Sequence, residues 1–271
     1  MKFSAIVSLL ALLFSTGIAS GHEFWIAPQG YQVAPGENLD AQLRVGQNFD
    51  GFEQPYLPRN FARFEVQQDD ERHPVQGRVG DRPAMRMALQ DEGLWIVVHE
   101  TTDQSLIWDT WADFEAFVTH KKLEGVVARH ADRGLPSSDF AEAYRRYAKA
   151  LVAVGAGLGA DEPVGLLTEI VAGRNPYTDD LSDGLPVTVL YDGAPRVGAQ
   201  VEIFDRAPDG TVSVSTTMTD AAGQAVIPVV PGHEYLLDAV KMIELEGGST
   251  PIDPVWKSLW AALTFYVPGA N

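Results

Sequence analysis

From residue 22 onward the chain is written in short apolar runs, and that spacing constrains its fold more than any single motif. FWIAP, LDAQLRVG, ARFEVQQ, AMRMAL and GLWIVVHE follow one another between residues 22 and 107, cut apart by PGE, DDERHP and VGDRP. Runs of this length with partial alternation, bounded by Pro, Gly and Asp, predict the strands of an antiparallel β-sandwich. Leu94–Glu100 keeps its apolar residues nearly continuous, as expected of a strand buried on both faces. A second set occupies residues 160–271: LPVTVLYDG, AQVEIFDR, VSVSTTMTD, QAVIPVV, EYLLDAVKMI and AALTFYVP, with APDG and TDAAG as turns. The fold class expected is mostly β, with two antiparallel sandwich modules and no fixed-period repeat.

Between these sets the period changes. In residues 108–159 apolar positions recur at three- and four-residue steps, which predicts a helical insertion. WADFEAFVTHKKLEG opens after Asp109–Thr110 as N-cap region, and VVARHADRG ends at Gly134. SSDFAEAYRRYAKALVAVG reads as the best helix, with Ser138 as N-cap, a stripe of Phe140, Tyr144, Tyr147, Leu151 and Val154, and Gly155 as terminator. ELEGGSTPIDP, at 244–254, is expected to be a mobile polar loop.

Ahead of the strands, Lys2, the apolar run Ala5–Phe14 and the small residues of STGIASG read as a secretory signal over residues 1–21. The apolar run is too short to span a bilayer, which takes roughly 20 helical residues. The expectation is an exported protein, periplasmic or secreted, without a membrane span. Cleavage after Gly21 puts small Ala19 and Gly21 at −3 and −1 and makes His22 the first mature residue; cleavage after Ala19 is the competing site. The chain has no cysteine, which excludes disulfides, thiolate metal sites and cysteine nucleophiles. Its formal charge of −17 opposes nucleic acid and anionic lipid.

Most motif matches fail on context. GAGLGA at 155–160 fits a glycine-rich nucleotide pattern, but that chemistry needs a strand before it and a helix after it. NPYTDDLSDG gathers Asp179, Asp180 and Asp183 without calcium-loop spacing, so it reads as a hydrated loop with a weak calcium site as the alternative. There is no G-x-S-x-G and no H-E-x-x-H, so nothing nominates a hydrolase.

The histidines carry the metal-binding expectation. As first residue, His22 offers its α-amine and its imidazole to one ion, and the amine titrates at only about 7.7–8. His99 ends a buried strand at the expected sandwich rim. His130 follows Val126 and Val127 by three to four residues, so it is either a satisfied core histidine or an inward ligand. His22, His99 and His130 are the candidate metal set, and nitrogen donors suit copper or nickel.

HEFWIAP behind a signal segment, AEAYRRYAKALVAVG, TEIVAGRNPYTDD, LPVTVLYDGAPRVGAQVEIFDR, TDAAGQAVIPVVPGHEYLLDAV and VWKSLWAALTFYVP resemble one exported bacterial family of unknown function, formerly described as a nickel transport complex subunit. The resemblance spans residues 22–271. It implies a periplasmic nickel- or cobalt-binding protein, with a membrane metal-uptake transporter as partner and His22 in the family's HEFW start. The carboxy-terminal module resembles transthyretin-like and carboxypeptidase-regulatory-like sandwiches, which bind or brace. The leading expectation is metal capture without turnover. The alternative is a non-catalytic envelope module that binds carbohydrate or protein without metal, and an oxidative copper site is the form an enzyme would take.

Overall fold

The computed structural model describes residues 22–247, 250 and 252–269, so the signal segment and part of the 244–254 loop lie outside the described residues. In chain order the elements are β1 (Glu23–Pro28), β2 (Gln32–Val33), β3 (Asn38–Gln47), β4 (Asp50–Gln54), β5 (Phe61–Gln68), β6 (Glu71–Pro74), β7 (Met85–Ala88), β8 (Gly93–Thr101), β9 (Gln104–Trp108), α1 (Trp111–His120) and α2 (Val126–Asp132). There follow β10 (Phe140–Val154), β11 (Thr168–Ala172), β12 (Leu185–Tyr191), β13 (Ala194–Pro195), β14 (Gln200–Arg206), β15 (Val212–Met218), β16 (Gln224–Ile227), β17 (Glu234–Glu244) and β18 (Trp256–Tyr266).

The mostly β, sandwich-like expectation holds, but the layers are shared. One large sheet runs β15-β14-β17-β18-β10-β8-β5-β6, with β2 and β9 also on β10. It therefore takes strands from both segments expected to be separate modules. On one face Leu94, Ile96, Val98, Tyr147 and Leu151 pack with Ile170, Leu185, Val187 and Val189 of a small carboxy-terminal sheet. On the other, Trp95, Val97, Ala148, Ala150 and Val152 pack with Trp25, Ile26, Leu39 and Leu43 of the amino-terminal sheet β1-β3-β4. Alternate residues of one strand thus enter opposite cores, the period-2 geometry of a sheet covered on both sides.

The expected helix over 138–154 is wrong: residues 140–154 form β10, at the middle of the large sheet. β10 pairs parallel with β18 and antiparallel with β8 and β9. Its Ala, Arg, Lys and Glu residues favour helix, but by less than ~0.7 kcal/mol each. Burying both faces of such a strand outweighs that, at about 25 cal/mol per Å2 of apolar surface. Burial on both sides also erases the alternation that marks a strand. Of the insertion, α1 and α2 stand. Thr110 caps α1 as expected, accepting from the Asp113 amide. The two helices cover Trp108, Phe140, Val240, Met242, Trp256 and Trp260, extending the amino-terminal face of the large sheet. GAGLGA is a loop after a strand, with Gly155, Gly157 and Gly159 at positive φ, and no helix follows it.

Candidate metal centre

His22 is exposed immediately before β1, whose six residues are all buried. Its carbonyl accepts from Arg146 Nη2 at 3.2 Å. It stands at a cavity of about 210 Å3 shared with Trp108, Glu142, Tyr144, Arg146, Ser258 and Trp260. The floor of that cavity is a closed hydrogen-bond chain. Trp108 Nε1 donates to Glu142 Oε2 at 2.8 Å, the Ser258 hydroxyl bonds Glu142 Oε1, and Trp260 Nε1 donates to Ser258 Oγ at 2.9 Å. Burial pushes the Glu142 carboxyl up to about 7, against the pull of its hydrogen bonds to Ser258 and Trp108.

His99 is 1% exposed, and its ring packs within 5.0 Å, centroid to centroid, of Phe24, Phe61 and Phe64. Neither ring nitrogen has a hydrogen-bond partner. Burial alone drops its pKa to about 3, so the imidazole is neutral at any ordinary pH.

His130 resolves to the satisfied core histidine. Trp256 Nε1 donates to its Nδ1 at 3.0 Å, and Trp is a donor only, so Nε2 carries the proton and donates to the Pro136 carbonyl at 2.9 Å. Both nitrogens are spent, and the ring is wedged among Trp111, Phe114 and Phe140. Its place in the metal set is therefore corrected. Nor are the three histidines assembled: among the described residues no group of three His, Cys, Asp or Glu side chains could hold a metal ion.

A buried ionic cluster that was not expected lies beside this region. Lys121, 4% exposed, reaches Glu23 at 3.4 Å, Asp238 at 3.1 Å and Glu202 at shorter range. Burial works against its ammonium, but Asp238, Glu202 and Glu23 outweigh it and push the pKa up. In turn, burial holds Glu23 at about 7 and Asp238 at about 6, with Lys121 pulling both down. His120 adds to the cluster, with its Nε2 2.8 Å from Glu202 Oε1. The missed signal was Glu202 and Asp238 interrupting the apolar strands VEIF and LLDAV on faces that should be buried. A second such knot, Lys149 with Asp161 at 2.7 Å and Glu169 at 3.6 Å, is wholly internal.

The fold and site together define a layered β-sandwich protein with buried ionic clusters at Lys121 and Lys149. The chain belongs to the family described as a domain of unknown function, DUF4198, which matches residues 19–242. No curated protein matches the chain. Among solved structures, the D0-D1 domain of intimin is similar at 13% identity over 89% of this chain and 97% of that one, with a TM-score of 0.22, too low to define a shared topology.

Proposed function

We propose that the protein is an exported, non-catalytic capture protein that binds nickel, cobalt or copper through His22 at its mature amino terminus, for delivery to a membrane uptake partner. One observation supports this above the rest: among the three candidate ligands His22 alone is exposed, and the six residues after it are locked in β1. An amine and an imidazole at this position would be free to bind yet fixed to the body of the protein. His99 and His130 play no part in this reading, so the protein supplies an open coordination sphere. An incomplete sphere favours exchange of the ion over storage.

Both expected cleavage sites yield a chelate, of different kinds. A start at His22 gives two nitrogens in one ring. A start at Ser20 places the imidazole third from the amine, so that the amine, two amide nitrogens and the imidazole can form a square plane suited to copper or nickel.

The test is intact mass of the exported protein, followed by titration of the parent, His22→Ala and the amine-acetylated parent with Ni2+, Co2+ and Cu2+. One-to-one binding that is lost in both altered forms is the expected result. Unchanged affinity in His22→Ala, or a mature start upstream of Ser20, overturns the proposal and leaves the metal-free envelope module.

A further inference from the structure

On the helix-covered side, a cavity of about 470 Å3 lies between the α1–α2 turn, the loop at 194–199 and the end of β17 around Lys241. In a chain of formal charge −17 its lining is cationic. Lys122, Arg129, Arg196 and Lys241 face it, and Glu124 is the one acid among the described lining residues. Lys121 also reaches the wall but is spent on its three carboxylates. Arg129 is partly compensated, with its Nε 2.7 Å from Glu244 Oε1.

Arg196 and Lys241 are left in a different condition. Arg196 Nη2 donates to the Val240 carbonyl at 2.9 Å, while its buried Nη1 finds no acceptor. Asp238 is the acid whose charge Arg196 feels, and that carboxylate already serves Lys121. Lys241 makes no ion pair or hydrogen bond among the described residues; its ammonium stands 4.6 Å from the centre of the Tyr191 ring. Burial, then the charges of Arg196 and Arg129, push its pKa down, as expected of cations that converge on one space. The Arg196 guanidinium and the unpaired Lys241 ammonium place two positive charges on one wall, a setting that favours the oxygens of a carboxylate or phosphate. Leu123, Val126 and Met242 add apolar side chains to the same wall, beside the amide of Gln200.

We propose that this cavity is a binding site for a small organic oxyanion, a carboxylate or phosphate monoester carried on a compact apolar body. The oxyanion lies between Arg196 and Lys241, and the body lies against the apolar wall. The site is separate from His22 and does not depend on metal capture.

Calorimetric titration of the full mature protein with phenyl phosphate, benzoate and neutral benzyl alcohol tests it. Saturable one-to-one binding of an anion, and none of the alcohol, is expected; the tighter of the two anions identifies the head group. Lys241→Met, which removes an ammonium that makes no ion pair or hydrogen bond among the described residues and stands only over the Tyr191 ring, weakens binding at least about tenfold, and Arg196→Gln does the same. Raising salt from about 0.05 M to about 0.5 M weakens it further. Absence of saturable anion binding overturns the proposal, as does parental affinity in folded Lys241→Met. Equal affinity for inorganic phosphate and phenyl phosphate overturns the assigned ligand class, because it leaves the apolar wall unused.

Discussion

The buried carboxyl of Glu142 makes the fold's stability depend on pH in a direction opposite to that of salt-bridged acids. In the unfolded chain this carboxyl titrates near 4.5, and in the fold near 7, because it is buried. Below 4.5 both states hold the proton and the contribution to stability is complete. As pH rises toward 7 the unfolded state releases its proton first, so stability falls, and above 7 the loss is complete. A shift from 4.5 to about 7 corresponds to about 3 kcal/mol at 1.36 kcal/mol per pH unit. For a chain of this size that is a melting-temperature change of roughly 5–15 °C. Glu142→Gln keeps an acceptor for Trp108 and cannot ionise. The measurement is thermal unfolding of parent and variant from pH 4 to 8.5, read as the difference between them so that Glu23 and Asp238 cancel. The variant should match the parent or fall slightly below it in acid, overtake it as pH rises past about 5, and hold its full advantage above 7. A difference that stays flat across the range would refute the assignment of the titrating group to Glu142.

The remaining side chains give contrasting outcomes. Lys121→Met strands Glu23, Glu202 and Asp238 without their cation, and should cost about 3–5 kcal/mol at neutral pH by chemical denaturation, with part of the loss recovered in acid as the carboxyls take up protons. His130→Leu leaves the Trp256 indole N–H and the Pro136 carbonyl unpaired and should cost about 2–4 kcal/mol, while leaving metal affinity at the parental value in titration. His99→Phe goes the other way. It replaces a ring with two unpartnered nitrogens by one that suits its aromatic neighbours, so its melting temperature should equal or exceed the parent's. His22→Ala should leave stability within about 0.5 kcal/mol, which makes it a clean probe of binding.

What could be read from the sequence divides along the line between local and distant causes. FWIAP, the turns and the Thr110 cap are set by residues within a few positions of one another, and they are where they were expected. α2 is likewise local, and its three- and four-residue spacing did put His130 on the apolar face. The choice between core residue and ligand lay with Trp256, 126 residues away, whose indole completes the imidazole's hydrogen bonds. β10 failed for the same reason on a larger scale. Its local composition favours helix, and nothing near it announces that β18 will pair along one side and β8 and β9 along the other.

The charges inside β10 sharpen that point. Glu142 and Lys149 look like the solvent face of a helix when only their neighbours are considered. In the fold Glu142 is closed by Trp108 and Ser258, and Lys149 by Asp161 and Glu169. A buried charge in this central strand is therefore a statement about a partner elsewhere in the chain. Removing the partner should expose that dependence. Asp161→Asn retains shape but keeps an oxygen for only one of the amides of Glu162 and Ala172, which bond separate carboxylate oxygens, and it withdraws the closest charge from a lysine that is 1% exposed. The expected loss is about 3 kcal/mol at neutral pH, because the ammonium keeps only Glu169, at 3.6 Å, and the Glu162 carbonyl. Lys149→Met combined with Asp161→Asn should recover much of it, since no buried cation then lacks its partner. If the double variant is as unstable as the sum of the two single ones, the pair is not coupled, and the strand is held by apolar packing alone.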